Sequence, residues 1–247
     1  MRRIIAIAVM AATVLYVGAQ ERKAQHKPYI DLRTLHYGIY IGAHLQDIDF
    51  DNIGPQIIAN SDGTQQVQTV LLDADKWNPG FSVGLVADLR LGTHFNLRFT
   101  PGMHFGGKHL RFRSLGEYDE YGNEKEVTQD LKNIYVSLPL GLKFSAERFN
   151  NHRPYIYAGI NALLNLTKKD QEYISLKRMD AMVELGIGCD FYLPFFKLIP
   201  ELKFCYSLTN SLNKKHADEL LDANTRIFAN SVNRATNKMF VLTFYFE

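Results

Sequence analysis

Between Gly80 and Phe105 two alternating runs meet at Gly92. Phe81, Val83, Leu85, Ala87, Leu89 and Leu91 fall on one side of an extended strand, with Ser82, Gly84, Asp88 and Arg90 on the other. After Gly92 the phase resets, and Phe95, Leu97, Phe99, Met103 and Phe105 share a face opposite His94, Asn96, Arg98, Thr100 and His104. A two-residue period is the signature of a strand, so this stretch predicts an antiparallel pair with one apolar and one polar face.

That alternation recurs along the chain and predicts eight strands in all. Besides the two above, the apolar sets take every second residue from Tyr37 to Leu45, Ile134 to Phe144, Ile156 to Leu166, Met179 to Phe191, Leu198 to Leu208 and Phe240 to Phe246. None of them contains a charge. An arginine or lysine on a lipid-facing strand position near mid-bilayer costs about 2–4 kcal/mol, so a membrane selects this purity and water does not require it. The opposite faces hold Arg90, Arg98, Lys143, Arg178, Lys197 and Lys203 with Asp88, Asp180, Glu184, Asp190, Glu201 and Glu247. So many ions cannot fill the dry centre of a sandwich; inside a narrow barrel they can pair with one another.

The connections alternate too, long and polar after strands one, three, five and seven, shorter after two, four and six. The expectation is an all-β, eight-stranded antiparallel up-and-down transmembrane barrel with a side-chain-filled lumen, long outer loops and short periplasmic turns. Pro101, Pro139 and Pro200 resist it, because a closed barrel has no free edge to excuse a missing N–H. Bulges or rim positions are the expected answer.

Asp47 to Asn78 reads as an irregular loop carrying Asp47, Asp49, Asp51, Asp62, Asp73 and Asp75 against Lys76. It is either a solvated loop or a calcium binder, although no spaced ligand loop is present. Gly106 to Lys132 reads as a second long connection, whose early alternation from Lys108 to Arg113 suggests a ribbon projecting beyond the membrane. In the third, Thr209 to Asn237, the spacing of Leu220, Leu221, Asn224, Ile227, Phe228 and Val232 suggests a short surface helix.

Composition places this barrel in a compartment. The 247 residues have a mean hydropathy of −0.18 and no run of roughly 18 apolar residues. Arg2 and Arg3 precede an apolar stretch, Ile4 to Val17, and small residues end at Ala19. Residues 1–19 therefore read as a secretory signal peptide, 20–36 as a mobile periplasmic segment and 37–247 as the barrel. Removing Arg2 and Arg3 from 28 basic residues leaves 26 against 26 acidic ones, which gives no support to nucleic-acid binding. The two cysteines face opposite ways on adjacent strands, with Cys205 opposite about residue 183, so Cys189 and Cys205 are expected as free thiols.

Candidate chemistry is sparse. His44, His94 and His104 point inward and could hold a metal, yet separate strand levels favour simple hydrogen-bonded lumen residues. Asp180 and Glu184 could act as paired carboxylates, though nearby lysines and arginines favour structural ion pairing. Ser82, Ser137 and Ser207 are possible nucleophiles, but a lipid-modifying barrel would need its serine and histidine at the lipid face. No catalytic, cofactor-binding or metal residue is assigned and no cofactor is expected.

The segments WNPGFSVGLVADLRLGTHFNLRFTPGMHF from Trp77, YVSLPLGLKFSAERFNNHRPYIYAGIN from Tyr135 and ELGIGCDFYLPFFKLIPELKFCYSLTN from Glu184 resemble the PorT proteins of the type IX secretion system. The likeness spans nearly the whole mature chain, in order. It implies a non-enzymatic barrel in the outer membrane of Bacteroidetes-type bacteria, N-terminus in the periplasm, required for export of proteases and other cargo bearing C-terminal sorting domains. Expected partners are outer-membrane lipids and other type IX components. Other readings are an enzyme acting on lipopolysaccharide, a small surface-adhesion barrel and a soluble ligand carrier, the last disfavoured by a charged interior.

Overall fold

The computed structural model describes residues 25–59, 65–74, 76–118, 121–122, 124–167, 173–214, 216 and 223–247. The signal peptide of the sequence reading, with Asp62, Asp75, Leu220 and Leu221, lies outside them. The strands are β1 (Leu35–Asn52), β2 (Pro55–Ala59), β3 (Gln65–Ala74), β4 (Asn78–Arg90), β5 (Phe95–Phe99), β6 (Gly102–Tyr118), β7 (Glu124–Ser145), β8 (His152–Asn165), β9 (Met179–Tyr192), β10 (Lys197–Ser207) and β11 (Val232–Phe246); a helix, α1 (Ala223–Asn230), precedes the last.

All pairings are antiparallel. The sheet closes on itself because β1 pairs with β11 on one side, Ile41 opposite Phe244, and with β4 on the other, Ile41 opposite Val83. β5 and β6 share the same two neighbours, β4 and β7, and together make one member of the ring. The closed ring thus has the expected eight strands, and β2 with β3 forms a hairpin attached to β6.

The prolines are accommodated where the ladders break. Pro101 lies in the gap between β5 and β6 and still accepts a 2.9 Å bond from the Leu85 amide. Pro139 faces that same gap: its carbonyl accepts from Thr100 N–H at 3.2 Å, and its missing donor falls where the neighbouring strand is interrupted. In the β9–β10 ladder the pairs resume on either side of Pro200, at Leu198–Phe191 and Glu201–Gly188.

The apolar sets face outward. Leu185 and Ile187 are 57% and 62% exposed, while Asp180, Glu184 and Glu201 are buried. A water-filled surrounding would drive the opposite arrangement, so hydrocarbon lies outside the ring and ions lie within it.

A tilted strand needs about 9–11 residues to cross a bilayer, whereas β1, β6 and β7 have 18, 17 and 22. In the surplus the polarity inverts. On β1 the outward row changes from Ile41, Ala43 and Leu45 to Asp47, Asp49 and Asp51, and the inward row changes from His44 and Gln46 to Ile48 and Phe50. On β7 Ile134 gives way outward to Lys132, Asp130 and Thr128, with Leu131 turned in. Beyond the membrane the outside is wet, so the ordinary rule of apolar inside returns.

In its described part the connection from Asp47 to Asn78 is therefore not a solvated loop but the end of β1 followed by β2 and β3. Ile48, Val70, Leu72, Leu110, Phe112, Leu131, Ile174, Leu176, Leu212, Val232 and Ala235 make a buried apolar cap over one end of the ring. Phe112, Tyr173 and Phe228 of α1 close it as a triangle of rings, with centroids 5.3–5.5 Å apart. Lys238 sits 2.6 Å from Asp49 and 3.6 Å from Asp47, and the Asp49 carboxylate holds its ammonium pKa above the ordinary range.

The opposite end carries short turns and the lead-in. Residues 25–34 are not a loose tail, as expected for that part of 20–36; they are stitched to the rim. The His26 amide donates to Asn151 Oδ1 (2.9 Å), and Arg148 donates to the carbonyls of Lys27 (3.2 Å) and His26. Asp31 accepts from the Tyr192 hydroxyl at 2.7 Å and lies within 4 Å of Arg148 and Arg153.

Candidate functional site

The interior of the ring is where the buried chemistry collects, and its walls explain how it fits. Tyr40 projects inward over β4 and β6, where a Cβ on Gly102 would lie 2.0 Å from the Tyr40 hydroxyl. A Cβ on either Gly141 or Gly159, a cross-strand pair, would lie 2.6 Å from the Tyr157 hydroxyl. Glycine on the inner face gives large side chains room to reach the axis.

Arg98 of β5 is fully buried. Its Nε and Nη2 donate to the two carboxylate oxygens of Asp88 at 3.1 and 2.8 Å. Its Nη1 donates to Glu201 Oε2 at 2.8 Å and to the Tyr155 hydroxyl at 3.1 Å. Tyr155 and Tyr245 in turn donate to the two oxygens of Glu201 at 2.6 and 2.8 Å. The guanidinium is also sandwiched, 5.1 Å from the Tyr155 ring centroid and 4.8 Å from that of Tyr245.

The network continues both ways along the axis. Lys143 donates to both oxygens of Asp190 (2.7 and 2.8 Å), and Lys197 joins Asp190 (3.7 Å) to Glu247 (2.5 Å). Lys203 lies 3.4 Å from Glu184 and 3.7 Å from Glu201. Charges buried this deeply are tolerable only because each is paired and hydrogen-bonded. Two members of the sequence set are not lumenal: Arg178 is exposed, and half-buried Arg90 donates to the carbonyls of Gly92 and Leu32 at the strap end. Arg90 is the last residue of β4 and Arg178 precedes β9, so both stand at strand ends outside the sealed section.

The Asp180–Glu184 pair is separated by its partners. Glu184 joins Lys203 and accepts from Asn161 at 2.6 Å. Among the described residues Asp180 has no salt-bridge cation; it sits in a cage of donors comprising Ser207 (2.6 Å), Thr209 (2.5 Å), Ser211 (2.5 Å), Asn237 (2.8 Å) and the Ala181 amide (2.8 Å). Ion pairing was the expectation for both, and hydroxyl caging replaces it at Asp180. Asn237 passes the contact on to the buried ammonium of Lys108.

Of the three histidines, two meet: His44 and His104 pack edge to face at 5.3 Å, while His94 stands apart, 2.9 Å from the Ser145 carbonyl. Among the described residues no group of three or more His, Cys, Asp or Glu is arranged to hold a metal. Ser82, Ser137 and Ser207 are all buried inside the ring. Cys205 is buried and Cys189 half-buried, both free; Cys205 stands opposite Glu184, one residue from the expected register.

Sequence reading missed the apolar cap. Its signal was present, since alternation continues past Gln46 with Ile48 and Phe50 on the row that had been polar. Only a change of surroundings gives that switch of row its meaning.

A closed ring with an apolar outer band and an ion-paired interior fits one family model, which matches residues 19–213. The chain belongs to the outer membrane protein beta-barrel domain family. Its place is the outer membrane. A search of curated proteins finds no match. Among solved structures it is similar to OprG from Pseudomonas aeruginosa (14% identity over 85% of this chain and 94% of that one, TM-score 0.38) and to Neisserial surface protein A (10%, 86% and 98%, 0.40). It is also similar to the outer membrane protease OmpT from Escherichia coli (11%, 86% and 95%, 0.38).

Proposed function

We propose that this barrel is a non-enzymatic accessory or assembly component of a type IX secretion apparatus, working through its two ends rather than through its lumen. The observation that carries the reading is the Arg98–Glu201 contact, because a lumen bridged side to side leaves substrate passage to other components. The PorT-like segments supply the pathway. In this reading the strap of residues 25–34 faces the periplasm and the apolar cap faces outward, where Ile53, Ile57, Val67 and Tyr118 stay exposed for partner contacts. Deleting the gene should abolish export of cargo bearing C-terminal sorting domains, and complementation should restore it; normal export in the deletion strain would sink the proposal.

Those exposed apolar residues also favour a second reading, a small surface-adhesion barrel. Loss of cell attachment with unimpaired export would select it. A lipid-modifying enzyme has less support, since its serine candidates all lie inside the ring.

A further inference from the structure

The strap of residues 25–34 crosses the mouth of the ring. It leaves the wall at β1, where Arg90 at the end of β4 donates to the Leu32 carbonyl, and it is held on the β7–β8 turn, where Asn151 and Arg148 bond to His26 and Lys27. From β1 the closed order runs through β11, β10 and β9 to β8, halfway round the ring, so the two anchorages stand on opposite walls. Between them Asp31 is met by the hydroxyl of Tyr192, a residue buried inside the barrel. The strap carries a pocket of about 290 Å³ lined by Lys27, Pro28, Tyr29, Ile30 and Arg33. We propose that this pocket docks an acidic segment of a periplasmic protein, with a carboxylate between Lys27 and Arg33 and an apolar neighbour against Tyr29 and Leu32. The inference rests on the reading that this end of the barrel faces the periplasm.

Charge selects the occupant. The lining holds two cations and no carboxylate, and among the described residues neither the Lys27 ammonium nor the Arg33 guanidinium has a partner. Asp31, their neighbour in sequence, is turned to Tyr192, Arg148 and Arg153. Glu147 is exposed on the β7–β8 turn and does not line the pocket. Lys27 is set in place by its backbone: its φ is 49°, and its carbonyl accepts from the Ile30 amide at 3.2 Å and from Arg148 at 3.2 Å. A guanidinium and an ammonium side by side match a carboxylate. A phospholipid phosphate carries the right charge too, but lipid surrounds the wall of the ring, whereas this pocket lies on the strap across its mouth. Tyr29 and Leu32 are exposed beside the cations, an apolar surface that a small soluble anion would leave unused and a protein segment would cover.

Photo-crosslinking in intact cells tests this, with p-benzoylphenylalanine replacing Tyr29 in the full barrel. The expected adduct is to a protein, at a position beside an Asp or Glu. K27E/R33E should lower its yield at least about tenfold, as for loss of a charge-assisted contact, with K27Q/R33Q intermediate and the heat-modifiable folded band unchanged in both. Replacing the partner's carboxylate by lysine should restore the adduct with K27E/R33E and weaken it with the unsubstituted strap, a reversal that damage to the strap alone would not produce. An undiminished adduct in K27E/R33E, an adduct to phospholipid alone, an adduct to a segment without a carboxylate, no adduct, or no rescue by the reversed charge would each overturn the proposal. Orientation is read separately: Y29C should resist a membrane-impermeant maleimide in intact cells and react once the outer membrane is permeabilised, with wild type as the control. Labelling in intact cells would overturn the periplasmic reading itself. No arm measures export, so failure here and failure of the secretion role are distinguishable.

Discussion

Arg98 and Glu201, separated by 103 residues in sequence, meet at 2.8 Å across the full width of the ring. Arg98 is on β5 and Glu201 on β10, and counting either way round the closed order places them on opposite walls. A contact between opposite walls can form only through the axis, so with Asp88 they make a bar across the lumen.

Breaking that bar should be costly, because both buried carboxylates would lose their closest cation and keep only Lys143 at 3.8 Å from Asp88 and Lys203 at 3.7 Å from Glu201. R98M is expected to lower stability by about 3–5 kcal/mol, read as a drop in the urea midpoint of the heat-modifiable folded band on gels. In planar bilayers wild type should show only baseline conductance, and R98G/E201A should leak ions.

The cap should come apart separately from the ring. Phe112 is fully buried among Tyr173 and Phe228, so F112A should cost about 3–5 kcal/mol of local packing. Limited proteolysis should then cut within the cap while fragments spanning the apolar band stay protected. A uniformly unfolded protein would contradict two separately stabilised layers.

The outer face should reject charge by height. L185R places a cation in the apolar band, 57% exposed to lipid, and should lose about 2–4 kcal/mol in folding into liposomes. T128R, on the outward row beyond the inversion, should be close to neutral.

At the other rim, Asp31 gathers Tyr192, Arg148 and Arg153. D31A should free the strap, and amide exchange of residues 26–34 should accelerate about tenfold, the effect of losing one charged hydrogen bond. Exchange in β8 and β9 should not change.

The amino-acid sequence by itself determined the eight strands, which side of each is apolar in the membrane band and, within that band, which residues face the axis. A two-residue period is a local property, and Leu185 and Glu184 take opposite faces whatever surrounds them. It also determined the free cysteines, because opposite facing on neighbouring strands rules out their pairing. Three features were settled only by the tertiary structure. Asp88, Arg98 and Glu201 lie on separate strands, so their joining depends on ring closure. Ile48 and Leu131 become a core only because the surroundings change from hydrocarbon to water partway along continuous strands. Pro139 is tolerated only because the neighbouring strand is broken at Pro101. Each of these depends on what lies across the ring or outside it, and a single strand's pattern carries no record of either.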